Sequence, residues 1–339
     1  MLAPKIEHIF KSSLRFKGRR FKKIMALSKV TETGSGNELR ESVLDILKDI
    51  SPNEDNYFIS NLGVAPVAMN TLHEWNLFNE ARPTSSSPVY EGADTVYAEL
   101  QAETRSNNRL EILDSPVKLS RTRASIANVT GEDAMGVEKE RALRRLKAIM
   151  EYDTINGALV AGSSGVARGM AGIVNCISTN VTARSSGQSF TETELNDIIQ
   201  QSWDAVGSSY VADLIVAPVV IKRRVASFGT NLTRNVQATD KRLTQEVRVY
   251  DSEVGQTVKI IAHKDVRKAA GTLTVLAIRE DLFEHAFLVG TGEPHWEDRA
   301  VAGDYENSIG DYITEFTLVS YNQNAHVKRT GYGLSLIHI

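Results

Sequence analysis

Along the first third of the chain the spacing of apolar residues switches between two periods. From Glu38 to Ile50, ELRESVLDILKDI sets Leu39, Val43, Ile46, Leu47 and Ile50 on one helical face, and Pro52 predicts that this helix stops at Ser51. Strand-like residues follow in LHEWNL and give way to a polar excursion. They resume where Val96, Ala98, Leu100 and Ala102 alternate with Tyr97, Glu99, Gln101 and Glu103. The connection from Asn79 to Asp94 carries Pro83, Pro88 and Gly92. A loop of that length inside a compact domain is uncommon unless it is functional or disordered. The connection is therefore expected to project, with the flanking strands forming a hairpin.

A second strand-rich run, RLEILDSPVKLSRTRASIA, is expected after a turn at Asn107 and Asn108, with Pro116 at an edge or bulge. Thr130, at capping-box spacing from Asp133, is expected to open the longest helix. That helix should run about seven turns, with Val137, Leu143, Leu146, Met150 and Leu159 on one stripe. GSSGVARGMAG closes it. Further on, a helix from Thr191 to Trp203 precedes ADLIVAPVVIKRRVASF, which reads as a buried strand leading into a short helix. TQEVRVYDSEVGQTVKIIAH reads as a strand pair and TLTVLAI as another strand, while Ile313, Phe316, Leu318 and Val319 mark a final one. The order of elements is α+β rather than alternating βαβ.

Composition narrows the function more than the fold. With 339 residues, 42% of them hydrophobic, the chain can bury a core. Lys and Arg total 39 against 42 Asp and Glu. The net charge of −3 gives no chain-wide attraction to nucleic acid or an anionic membrane. A lone cysteine, Cys176, excludes a disulfide framework and any cysteine-rich zinc site, and fits synthesis in a reducing cytoplasm. No apolar run approaches the roughly 18 residues that span a bilayer.

Both termini are expected to stand apart from the fold. Residues 1–24 hold Lys11, Arg15, Lys17, Arg19, Arg20, Lys22 and Lys23, a basic leader read as lying upstream of the true start at Met25. The competing reading is a nucleic-acid-binding arm. The closing hexamer LSLIHI, residues 334–339, resembles a translated transposon end of the kind used in DNA library preparation.

Candidate chemistry is sparse. GSSGVARGMAG follows a helix and lacks the Gly-Lys-Ser/Thr ending of a phosphate loop. His73, His263, His285 and His295 have no metal-ligand spacing, and no serine sits in a G-x-S-x-G elbow. Glu253 and Glu293 read as surface carboxylates. Lys222, Arg223 and Arg224, with Arg234, Lys241, Arg242 and Arg248 downstream, read as a solvated face, since 7% aromatics supply no stacking platform among them. No catalytic, cofactor-binding or metal residue is assigned.

A helical arm, a projecting hairpin, a long helix, a mixed region and a late strand able to return to that helix form a recognisable series. The series resembles the tailed-phage major capsid protein, whose fold was first described in the Hong Kong phage and is shared by herpesvirus capsids. The likeness extends to one phage major head protein family long catalogued as a domain of unknown function. Its marks are Glu41 and DIL in the arm, HEW at 73–75, EGAD at 91–94, Asn108 with Ile112, Ser120 with Thr122, and Trp203 with Gly207. VYDSEVG at 249–255, TGE at 291–293, and EFTL with Asn322 complete them. Glu111, Glu253 and Glu293 stand where the pattern implies Gln, Asp and Asp, which marks a distant member.

The resemblance implies a structural major capsid protein with an N-terminal arm (25–65), an extended loop with peripheral strands (66–122) and a peripheral domain with its spine helix (123–165). An axial domain (166–300) and a strand returning to the peripheral domain (301–333) complete the layout. It implies that the extended loop lies across an adjacent subunit, with Glu74, Glu80, Arg82, Glu91 and Asp94 contacting basic residues such as Arg141, Arg144 and Arg145 next door. The implied partners are further copies in hexameric and pentameric capsomers, a separate scaffolding protein, a portal, and packaged double-stranded DNA held weakly. No cofactor and no membrane are implied. The location is the virion, assembled in the host bacterial cytoplasm. The alternatives are a hydrolase or nucleotide-binding enzyme with an unrecognised site, and a basic-armed DNA-binding protein.

Overall fold

The computed structural model describes residues 56–78, 86, 88–94, 97, 102–125, 133–228, 249–266, 268–269, 272–299 and 307–333. The expected arm helix at 38–50, the basic leader, the closing hexamer, Glu80, Arg82, Thr130, Arg234, Lys241, Arg242 and Arg248 lie outside these residues.

In chain order the described elements begin with α1 (Tyr57–Asn61), β1 (Gly63–Val64), β2 (Leu72–Leu77), β3 (Thr104–Arg109), β4 (Glu111–Ser120) and α2 (Arg121–Ser125). Next come α3 (Ala134–Asn156), α4 (Ile173–Cys176), β5 (Val181–Gln188), α5 (Glu192–Val206), β6 (Leu214–Ala217) and α6 (Val219–Phe228). The rest are β7 (Val249–Asp251), β8 (Thr257–Ala262), β9 (Lys268–Ala269), β10 (Thr272–Ile278), β11 (Phe283–Phe287), β12 (His295–Asp298), β13 (Asn307–Ser320) and β14 (Val327–Gly333).

Two sheets share the long helix α3. In the first, β13 is the spine. It pairs antiparallel with β4 from Phe316↔Glu111 to Asn307↔Ser120, and on its other side with β11 and then β12. β1 adds a short parallel edge against β11. The second sheet runs β5-β14-β10-β6-β8-β7, with β9 also pairing with β10. β6 is buried along its whole length, which is why LIVA reads as one apolar run. Its alternation divides it between two cores. Leu214 and Val216 join Leu146 and Met150 of α3, Leu276 and Ile278 of β10, and Phe316 and Leu318 of β13. Ile215 and Ala217 face the other way, against Leu195, Ile198 and Ile199 of α5 and Ile221 and Val225 of α6.

Several sequence expectations need correction. The cap of α3 is Asp133 rather than Thr130; its carboxylate accepts from the backbone N–H of Met135 and Gly136. The helix ends at Asn156, so Leu159 lies beyond it and is exposed, while Ala142, Thr154 and Ile155 are buried. Asn107 and Asn108 form no turn: both sit in β3, paired with Glu74 and His73. The strand described opposite β2 is 104–109; Tyr97, Ala102 and Glu103 lie in no described strand, and Val96, Ala98, Glu99, Leu100 and Gln101 of the expected return strand lie outside the described residues. SRTRA turns into α2 rather than continuing β4. Pro116 sits mid-strand opposite Asp311 in β4, whose other edge has no strand partner among the described residues, so its missing N–H breaks no ladder.

β11, β12 and β13 belong to the first sheet, whereas β14, which follows β13 in the chain, belongs to the second.

Candidate functional site

The polar excursion leaves the body at a bolted base. β2 and β3 pair from Leu72↔Arg109 to Leu77↔Thr104. Asn108, almost fully buried, makes four hydrogen bonds. Its Nδ2 donates to the carbonyls of Ala171 (3.0 Å) and Leu318 (2.7 Å), and its Oδ1 accepts from the N–H of Ala171 and of Arg109 (each 2.9 Å). One side chain thus ties the hairpin to the loop after α3 and to β13. Trp75 Nε1 donates to the Ser320 carbonyl at 3.2 Å, and the indole packs on Ala65, Ala286 and Val319.

Beyond the base the character reverses. Phe78, Val89, Tyr90 and Tyr97 are 67%, 82%, 79% and 87% exposed. The tip turns at Gly92, whose φ of +85° is a conformation side chains disfavour, with the Ala93 N–H donating to the Tyr90 carbonyl. Large apolar side chains left in water within one connection are characteristic of a contact surface.

The charges singled out from sequence fall into two groups. Glu74 pairs with Arg105 of its own hairpin at 3.5 Å, Arg141 with Glu138 and Arg144 with Glu140 along α3 at 2.7 Å each. Exposed pairs of this kind contribute about 0–1 kcal/mol. Glu91, Asp94 and Arg145 stand exposed, with no ion-pair partner among the described residues.

The C-terminal half of α3 carries polar contacts that the apolar stripe did not reveal. Glu151 is fully buried and accepts from the N–H of Phe58 (2.8 Å) and Ile59 (2.9 Å), capping the first turn of α1. His263 Nδ1 accepts from the Asp265 N–H at 3.2 Å, so Nε2 carries the proton and donates to Glu151 at 3.1 Å. Tyr57 donates to Glu280 and accepts from Lys259 Nζ at 2.6 Å. One turn along α3, Thr154 meets His285 Nε2 at 3.1 Å, and burial holds that imidazole neutral, its pKa down to about 4. Asp153 is pushed up to about 7, first by burial and then by the charge of Glu111, whose Oε2 accepts the Met170 N–H at 3.0 Å. The visible signal was an acid, Glu151, next to Met150 on an otherwise apolar face.

The marks of resemblance occupy joints in the backbone. Asn108 is the hairpin bolt, and the Ser120 hydroxyl accepts from the Arg123 N–H as α2 begins. Gly207 ends α5 with φ +75°, its N–H donating to the Trp203 carbonyl at 2.7 Å. A Cβ on Gly292 would lie 2.1 Å from the Leu288 nitrogen, and the Gly292 carbonyl accepts from both Glu315 N–H and Thr314 Oγ1. Among the described residues no group of three His, Cys, Asp or Glu side chains has a metal-holding arrangement, and no helix is long and apolar enough to cross a membrane.

Two sheets joined through one long helix, with a hairpin anchored at its base, form an arrangement shared with solved phage capsid structures. The capsid of Myoviridae phage XM1 has this fold at a TM-score of 0.56 and 13% identity, covering 86% of this chain and 96% of that one. The capsid of cyanophage A-1(L) matches at 0.57 and 12%, covering 88% and 97%. The SrpI encapsulin of Synechococcus elongatus PCC 7942 matches at 0.57 and 12%, covering 87% and 92%. No curated protein matches by sequence. The model of the SU10 major capsid protein family matches residues 27–333, and the chain belongs to that family. It is a structural capsid protein of a phage, a component of the virion, and its family and fold are those of structural proteins rather than enzymes.

Proposed function

We propose that copies of this chain assemble into hexameric and pentameric capsomers of an icosahedral tailed-phage head, each laying its β2–β3 hairpin across the next subunit. The supporting observation is the contrast within the hairpin. Its base is fixed by Asn108 and Trp75, while Phe78, Val89, Tyr90 and Tyr97 stay uncovered within one subunit. A contact between unlike surfaces, repeated around symmetry axes, closes into rings and then a shell, and many copies make modest single contacts sufficient.

In this reading α3 is the spine helix of a peripheral domain built on the first sheet, and the second sheet with α5 and α6 is the axial domain. Glu91 and Asp94 at the tip, together with Glu80, pair with a neighbour's cations, Arg145 among them, and Arg82 pairs with a neighbour's carboxylate. Assembly takes place in the host bacterial cytoplasm with a separate scaffolding protein and a portal. The net charge of −3 suits a wall that encloses double-stranded DNA without gripping it.

Replacing residues 80–94 by a short Gly-Ser turn tests the reading. Electron microscopy should show soluble subunits or open sheets in place of closed shells. Normal shells from that variant would refute the proposal.

A further inference from the structure

On the far side of the second sheet from α3, a charged cluster lies between α5 and strands β5 and β14. Arg329 of β14 is only 5% exposed, yet its guanidinium makes a single hydrogen bond, from Nη2 to Gln201 Oε1 at a long 3.3 Å. Nε and Nη1 of the same group are buried without a partner. Beside it, Arg184 of β5 lies 3.1 Å from Glu194 Oε1 of α5. The second oxygen of Glu194 and the Tyr332 hydroxyl are also buried without a partner. Burial and then Glu194 push the Tyr332 phenol up to about 12, while Arg329 and Arg184 pull against them, so the four side chains share one electrostatic neighbourhood.

Two guanidinium groups, nearly buried Arg329 and half-buried Arg184, share this neighbourhood with one carboxylate, Glu194. A buried cation with unfilled N–H donors is among the more destabilising arrangements a core can hold, and it is relieved only by an acceptor that also carries negative charge. Water would fill the donors but leave the charge unbalanced. One net positive charge among these side chains calls for a monovalent partner.

We propose that Arg329, Arg184 and the Tyr332 hydroxyl hold one small monovalent inorganic anion, of which chloride is the natural probe, and that this ion completes the packing of α5 on its sheet. The ligand balances the charge that Glu194 alone leaves over. Anion occupancy then stabilises the fold by mass action.

The test compares wild type, Arg329→Met and Glu194→Gln in sodium chloride and in sodium gluconate at equal ionic strength. Two readouts apply: melting temperature against chloride concentration, and chloride-35 line broadening. Wild type should melt higher in chloride, with a saturating response and saturable broadening, and Arg329→Met should lose both. Glu194→Gln, which removes the internal counter-charge, should tighten the chloride midpoint by roughly tenfold, equivalent to ~1.4 kcal/mol. Identical melting of wild type in the two salts would overturn the proposal, as would a full chloride response in Arg329→Met. Should Arg329→Met not fold, the Glu194→Gln midpoint decides, and an unchanged value sinks the site.

Discussion

Glu151 joins three parts of the chain through one carboxylate: α1, α3 and the His263 loop. Glu151→Ala leaves three buried donors unfilled and should destabilise the subunit by about 3–5 kcal/mol. Thermal unfolding should register that as a fall of about 10 °C; a fall under 2 °C would show that α1 is held by other contacts. Asp153 behaves in the opposite sense. Its pKa is raised in the fold, by burial and by Glu111, so the carboxylate is absent as a burden below its unfolded value near 3.8 and weighs fully above about 7. Asp153→Asn should therefore raise the melting temperature at pH 8 by about 2–4 °C, discounted for its half-open position, and change nothing at pH 3.5. Glu111→Gln should act similarly. A Gln there avoids the repulsion this chain carries.

At the scale of elements, the hairpin shows where sequence reasoning succeeded and where it slipped. Its outgoing strand was legible from HEW. The partner strand at 104–109 was not. Val96 to Glu103 has the alternation of a strand, whereas TRSNNR, the observed β3, is polar and without period. What makes 104–109 a strand is its anchoring: Asn108 can reach Ala171 and Leu318 only from that register. Asn108→Asp removes both Nδ2 donors while keeping size. It should cut the yield of closed shells several-fold, with the isolated subunit losing about 2–3 kcal/mol. Particle counts by electron microscopy and denaturant unfolding measure the two effects, and unchanged shells would show that the bolt is dispensable. The charges chosen at the hairpin and spine helix were less legible. Glu74, Arg141 and Arg144 pair inside their own elements, since neighbours three or four apart on a helix, or diagonal on a ladder, meet before any partner does.

At the scale of the molecule, acid response follows from buried imidazoles. Burial lowers His285 to about 4, against Glu151, and His326 to about 3, against Asp281; the His326 ring is stacked on Phe283. Both are depressed below the unfolded value near 6.5, so their burial is without penalty above it. Stability declines as pH falls from 6.5 through 4 and 3, where the folded state at last protonates. Unfolding free energy measured from pH 8 to 4 should fall on that limb, partly offset by Asp153, and His285→Gln should make the limb shallower; an unchanged slope would move the acid response elsewhere. Local periodicity by itself determined most helices and strands and the class α+β. The fully apolar LIVA even announced a strand covered on both faces. Only the tertiary structure decided that β14 leaves β13 for the second sheet, that Asn108 is a bolt rather than a turn, and that Glu151 and Arg329 are buried. The physical reason is that periodicity records which face of an element avoids water. Which distant backbone groups wait beneath that face for a polar partner depends on contacts between residues far apart in sequence, such as Asn108 with Leu318.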